Sequence, residues 1–477
     1  MAGVTGIGSG IDIDSIVKSM VAAERAPKET QLANLEKKTT TQITAVGALK
    51  SAISDFQTAL GALNKPELFQ ARSATSSKPD LVGITASTKA GAGSYQVEVK
   101  ELATSSKVAL AAVTNTTEAP ARFGSGSLEI KLGKEGSFSV TVDESNNTLA
   151  GIRDAINKQG AEKGVTATIV TDDEGARLVL SSSKTGADKD ITVVSTPNPE
   201  SGGDYESLDI LEFNGAENKA DPKGARILAQ AQSAVITVDG LMVTSETNKV
   251  EGAIEGVTLD LKAKTAKDEP LTINVSEDKA GVKKQIQSFV DSYNKLIGVI
   301  NAQTKVTSVG DGKAPVTGAL VGDATARTLL GTIRSELTNV QDDGALRALA
   351  DLGITTQKDG TLKIDDAKLS KVMDNNFAEL PALFTGEKGL ATRLDEKLKP
   401  YTETGGILEQ RNKVMTETIS SIDKQKEDLN RRITSLQDRL FKQFNAMDLL
   451  VGQLANTSSS LIASLENLPW AANNSKK

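Results

Sequence analysis

The acidic turns Asp172-Asp173-Glu174-Gly175 and Asp342-Asp343-Gly344, and the glycine-rich Gly6-Ile7-Gly8-Ser9-Gly10, are the stretches whose residue types could hold a cation or a phosphate. A calcium loop needs spaced oxygen ligands and a terminal glutamate; neither acidic turn supplies them, so both read as solvated turns. A dinucleotide loop needs G-x-G-x-x-G after a strand, whereas here Ile11 and Ile13 fill the last position and no strand precedes. With glycines at positions 3, 6, 8 and 10, the segment reads instead as a flexible lead-in. The sequence has no Cys and no His, which removes disulfides, thiolate and imidazole zinc sites, cysteine nucleophiles, Ser-His-Asp triads and imidazole bases. A glycosidase would still need two placed carboxylates and aromatic walls, and 1 Trp, 4 Tyr and 10 Phe in 477 residues offer little to line a sugar subsite. The expectation is a protein that is not an enzyme and carries no metal or cofactor.

The elements around these turns point to structure. At 477 residues the chain is long enough for about three domains. Its 55 Lys plus Arg against 62 Asp plus Glu give a net charge of -7, which argues against nucleic acid as a partner. No apolar run exceeds Val108 to Val113, so membrane insertion is not expected. The first positive charge is Lys18 and no apolar core follows the start, so a general secretory signal is not expected either, and any exit from the cell takes another route.

Both ends of the chain carry helical stripes. Ile13, Ile16, Val17, Met20 and Val21 fall at helical spacing, with Asp12 or Asp14 as cap and Pro27 as a break before a second helix. That second run carries Leu32, Leu35, Ile43, Val46, Leu49, Ile53, Phe56, Leu60 and Leu63; from Ile43 the steps are 3, 3, 4, 3, 4 and 3, the period of a coiled-coil seam. The C-terminal end answers with Ile419, Ile422, Leu429, Ile433, Leu436, Leu440, Phe444, Met447, Val451 and Leu454, with Lys426 at a seam position. Two readings fit these stripes: a helical hairpin core inside one subunit, or a seam reserved for other subunits. The polar run Thr39-Thr40-Thr41-Gln42 weakens the first stripe and favours register over stability.

Between about Ser73 and Glu277 the period changes to two. Tyr95–Val99, Leu128–Leu132, Phe138–Val142, Val165–Ile169, Ile236–Val238, Val257–Leu261 and Leu271–Val275 alternate as half-buried strands. A short helix through Leu149, Ile152 and Ile156 makes 128–180 a strand-strand-helix-strand-strand module, and 197–216 reads as an insertion or module boundary. The helical period returns with Val282, Ile286, Phe289, Val290, Tyr293, Leu296, Ile297 and Ile300 and continues through Leu329, Ile333 and Leu337. The order helix, strands, helix predicts a nested α+β multidomain fold, with terminal helices forming a coiled-coil or helical-bundle leg and two β-rich head domains inserted.

Several stretches are similar to the flagellar hook-associated protein 2 family. They are the N-terminal GxGSGIDIDSIVKSMVAAE, VDGLMVTSETNKVEGAIEGVTLDLKAKT followed by PLTINVSED, IQSFVDSYNKLI, and LGITTQKDGTLKIDDAKL followed by LFTGEKGLATRL. The resemblance covers nearly the whole chain and is most specific from Asp239 to Lys262; NTLAGIRDAIN resembles a module shared with flagellins and hook-junction proteins. It implies a cap at the distal end of the bacterial flagellar filament, retaining exported flagellin and promoting its folding and polymerisation. It also implies a ring-forming homo-oligomer, export through the flagellar type III channel to an extracellular location, and partners in flagellin, hook-filament junction proteins and an export chaperone. A competing reading is a tip adhesin that binds host glycan or protein through the β heads.

The expected organisation has terminal leg helices at 1–42 plus 445–477, flexible until assembled, and a helical coiled-coil domain at 43–77 plus 278–444. One β-rich head lies at 78–112 plus 228–277, and a second at 113–227 is inserted in the first. The expected assembly seam is Ile13, Ile16, Met20, Ile43, Val46, Leu49, Ile53, Phe56, Leu60, Leu429, Ile433, Leu436, Leu440, Phe444, Met447 and Val451.

Overall fold

The computed structural model describes residues 10–199, 205–310, 312, 314–340 and 344–466. The chain divides into two compact units: the two chain ends, up to Leu68 and from Gly281 onward, make one, and Phe69–Ala280 makes the other. The fold is α+β, with long terminal helices and a strand-rich middle.

In the helical unit the first helix is Ile13–Leu63 and the last is Ile407–Glu466. Asp12 caps the first, its carboxylate accepting from the Ser15 amide at 3.0 Å. The break expected at Pro27 does not occur: the helix runs through it. Proline deletes one hydrogen bond and crowds the carbonyl four residues back, but Ala23 and Pro27 both face water, so the orphaned carbonyl is solvated. Thr39 is buried at 4% exposure, and its hydroxyl donates back to the Leu35 carbonyl at 2.8 Å, so the helix itself absorbs the polar interruption.

Around the second half of the first helix, three more helices, Lys279–Thr304, Ala324–Thr338 and Leu390–Thr402, close a core. Phe56 stands 5.6 Å from Phe289 and 5.8 Å from Tyr293 by ring centroids, and Phe289 continues to Phe384 at 6.4 Å. Burial pushes the Tyr293 phenol up to about 12, and its hydroxyl donates to the Gly360 carbonyl at 2.8 Å. That carbonyl belongs to a small hairpin, Ile354–Thr356 with Leu362–Ile364, which the periodicity reading had not resolved. Asn294 fixes the hairpin by accepting from the Leu362 amide at 2.7 Å and donating to its carbonyl at 2.9 Å. Asp323 caps Ala324–Thr338 through the Ala326 amide at 3.0 Å and accepts both Nη groups of Arg411 on the last helix. Burial opposes ionisation of Asp323, but the Arg411 and backbone hydrogen bonds outweigh it and hold the carboxyl below its usual range.

The strand-rich unit contains two apolar clusters. The first lies under a five-stranded sheet, in the order Arg72–Ser76, Leu271–Glu277, Gly93–Glu101, Ala234–Val238, Leu241–Ser245, together with a three-stranded sheet of Lys249–Ile254, Val257–Leu261 and Val82–Ala86. Val97, Val99, Ile236, Leu259, Leu271 and Ile273 fill it. Asp239 (φ 49) and Gly240 (φ 83) make the two-residue turn between Val238 and Leu241, which needs left-handed backbone at both positions.

The second cluster lies among Leu128, Ile130, Val140, Ile152, Ile156, Leu178 and Leu180. Here the strand-strand-helix-strand-strand run is shared between two sheets. Gly126–Leu132 pairs with Ser137–Val142 and Ile191–Pro197, whereas Val165–Asp172 pairs with Gly175–Thr185, which continues to Ser105–Ala109. The helix is Leu149–Gly160, capped by Thr148 onto the Gly151 amide at 3.1 Å. The turn at Asp172 is more than solvated. Its carboxylate accepts the Glu174 and Gly175 amides and, at 2.6 Å, the Nε of Arg177. Arg177 is only 4% exposed, and its guanidinium also donates to the carbonyls of Leu110, Pro222, Lys223 and Gly224. The Arg177 hydrogen bond holds the Asp172 carboxyl below its usual range. Sequence patterning missed this role because three of the arginine's four carbonyl partners, Pro222, Lys223 and Gly224, come from a loop more than forty residues away. The lead-in 1–9, the acidic pair at 342–343 and part of the insertion at 197–216 lie outside the described residues.

Candidate assembly surface

The first and last helices run antiparallel. Ile13 and Val17 pack with Leu440, flanked by Val21, Leu436, Phe441 and Phe444. Further along, Glu24 meets Arg432 at 2.8 Å, Glu36 meets Lys426 at 2.5 Å and Glu409 meets Lys50 at 3.3 Å, so rising numbers on one helix face falling numbers on the other. Lys426, at its seam position, is half-buried and reaches Glu36 at the rim. These are partly or fully exposed pairs, and they set register more than they add stability.

The expected seam residues divide into three groups. Val46, Leu49, Ile53, Phe56, Leu60 and Ile13 are fully buried, and Leu429, Ile433 and Leu440 are buried with a small exposed remainder. Ile43, Leu436 and Phe444 are half-buried. Ile16, Met20, Met447 and Val451 are exposed.

Ile16 and Met20 are exposed on the paired stretch of the first helix, whereas the exposure of Met447 and Val451 has a geometric cause. The pairing partner starts at Ile13, beside Leu440 and Phe444, while the last helix continues to Glu466. Among the described residues that leaves 445–466 without a partner helix, roughly 33 Å of helix at 1.5 Å per residue. The seam spacing changes at the same place: Leu429, Ile433, Leu436, Leu440, Phe444, Met447, Val451 and Leu454 step by 4, 3, 4, 4, 3, 4 and 3. The doubled step of four at Phe444 is a stutter, which locally unwinds a coiled coil and turns the stripe out of the face covered upstream.

Beyond the stutter, Met447, Leu450, Val451, Leu454, Leu461, Ile462 and Leu465 share a face roughly 120° wide at 3.6 residues per turn. All are exposed, Leu454 at 64% and Leu461 at 62%. Leu449 points away from that stripe. The segment carries two charges, Asp448 and Glu466. Leu461, Ile462 and Leu465 were missed by periodicity because Thr457-Ser458-Ser459-Ser460 interrupts the run, although Ser458 occupies the vacant seam position between Leu454 and Leu461. Covering half of this face would contribute on the order of 5 to 10 kcal/mol, comparable with the net stability of a whole domain.

Among the described residues no group of three or more acidic side chains stands together to hold a metal, and no helix is long and apolar enough to cross a membrane. Two long terminal helices with a strand-rich unit inserted between them in sequence, and an apolar face that no described part of the chain covers, is the build of a structural assembly protein.

Comparisons with known proteins give the family. The profile "Flagellar hook-associated protein 2 N-terminus" matches residues 9–106, and its C-terminal counterpart matches 231–456. The "Flagellin hook IN motif" matches 127–184, the span of the sheet-helix-sheet run above. The B-type flagellar hook-associated protein 2 of Pseudomonas aeruginosa is 48% identical, over 99% of each chain. The flagellar hook-associated protein 2 of Escherichia coli is 32% identical over 97% of each. A crystal structure of the flagellar cap protein FliD from Escherichia coli superposes with a TM-score of 0.61 at 29% identity, over 78% of this chain and 99% of that one. The chain belongs to the flagellar hook-associated protein 2 family, a family of structural flagellar cap proteins.

Proposed function

We propose that the protein caps the distal end of the flagellar filament, where it retains exported flagellin and promotes its folding and polymerisation. The uncovered face of the last helix, Met447 to Leu465, carries this reading. A stripe with few charges, uncovered by any described part of the chain, suits docking against an apolar helical partner, the role the filament end would fill. The terminal helices serve as legs (1–42 with 445–477) on the helical domain (43–77 with 278–444). The strand-rich heads (78–112 with 228–277, and 113–227) meet those of other copies in a ring. The expected assembly seam works in two parts: its buried residues hold each leg to its own chain, and its exposed residues, with the rest of the stripe, take the partner.

On this reading the chain leaves the cell through the flagellar type III channel, attended by an export chaperone, and stands on the hook-filament junction proteins before flagellin is added. The absence of cysteine suits a chain threaded out and refolded without redox help. Cells lacking the protein are expected to build hooks, shed unpolymerised flagellin into the medium and fail to swim. Leu454→Glu combined with Leu461→Glu is expected to reproduce that phenotype while the purified variant melts at the parent temperature. Full-length filaments in either strain would overturn the assignment.

A further inference from the structure

Near the end of the 197–216 insertion, which the cap reading leaves unused, stands Asn214-Gly215, the one Asn-Gly pair of the sequence. We infer that Asn214 is a site of spontaneous amide loss, so that the head unit acquires a charge and a backbone change as it ages. Asparagine is thermolabile because the following backbone nitrogen can attack its side-chain amide, and glycine offers that nitrogen the least hindrance. Both residues are exposed and lie between elements; Gly215 takes φ +94, and its amide donates no hydrogen bond among the described residues. The Asn214 Oδ1 accepts from the Ala216 amide at 3.1 Å, which turns the side-chain carbonyl toward the backbone ahead of it and polarises the carbon to be attacked. Asn214 also lines an open depression with Glu212, Phe213 and Ala216, so water reaches the site.

The chemistry balances without a further reagent. The deprotonated Gly215 nitrogen bonds to Cγ of Asn214, and the side-chain nitrogen leaves as ammonia, giving a five-membered imide. Water then opens the imide at either carbonyl, forming aspartate or isoaspartate. The net change is Asn plus water to an acid plus ammonia, one negative charge beyond the formal -7.

Its position gives the change a structural consequence. Phe213, immediately upstream, is 3% exposed in the second apolar cluster and exchanges both backbone hydrogen bonds with Val193, at 2.8 and 2.9 Å. An isoaspartate adds a backbone methylene one residue beyond this anchor. The new carboxylate also falls close in sequence to Glu212 and Glu217.

The experiment incubates the full chain at 37 °C in mildly acidic and mildly alkaline buffers, then maps peptides by mass and follows amide exchange. The expected result is a more acidic species carrying a gain of about 1 Da at Asn214, formed about tenfold faster per pH unit because the nucleophile is the deprotonated amide. That species should be absent from Asn214→Ser, and the Val193 and Phe213 amides should exchange faster once it forms. Conversion at Asn214 in urea-unfolded chain but not in folded chain would overturn the inference, as would acidic species that map to other asparagines or survive in Asn214→Ser.

Discussion

The two lengths of one seam behave differently. From Val46 to Leu60 the stripe of the first helix is fully buried, closed by the rings of Phe289 and Tyr293 and by three further helices. From Met447 to Leu465 the stripe of the last helix has comparable spacing and residue types, yet every member is exposed. The difference lies in what stands opposite. The first stripe meets its own chain, and the second begins where, among the described residues, the antiparallel partner helix ends at Ile13, after the stutter at Phe444. An apolar period therefore defines a face, and only the arrangement of the rest of the chain decides whether that face builds a core or awaits a partner.

The comparison breaks most sharply at Phe56. Phe56→Ala should cost about 3 to 5 kcal/mol by opening a cavity beside Phe289 and Tyr293, readable as a lower urea midpoint with an unchanged slope. A loss under about 1 kcal/mol would mean this stretch is no more a core than the overhang. Asp323→Ala comes next, at about 2 kcal/mol, because it removes a helix cap and leaves Arg411 without its partner in a half-buried pair. Since the Asp323 carboxyl is held below its ordinary value, the stability it adds is present in full above the ordinary aspartate range. It is lost as pH falls through the depressed value, so the gap between parent and variant should close in acid. Smallest is Glu24→Gln. Its pair with Arg432 is exposed on both sides, and the variant should stay within about 0.5 kcal/mol of the parent in thermal melts.

Much of this architecture was legible in the sequence because burial follows period. The strands Leu128–Leu132 and Val257–Leu261 alternate because one face is core and the other solvent, and both appear in the structure. What was not legible depended on contacts distant in sequence or on solvent. Pro27 signals a break, yet two exposed residues let the helix pass. The hairpin Ile354–Thr356 with Leu362–Ile364 is too short for a period and is fixed by Asn294 from another helix. The strand that closes the 128–180 module was read only as far as Leu180, and it runs on to Thr185 because Ser182, polar and buried, is satisfied by the Lys184 amide. Of the candidate surface, the stripe as far as Leu454 was legible. Its lack of cover was not, because nothing in the spacing says where the opposite helix begins.

The most direct test follows amide exchange in the isolated chain and in the same chain bound to filament ends. Amides from Val46 to Leu60 should exchange slowly in both states, whereas those from Met447 to Leu465 should exchange fast in the free protein and become protected on binding. Slow exchange of the overhang in dilute free protein, or no gain in protection on the filament, would contradict the claim that this face is completed by a partner.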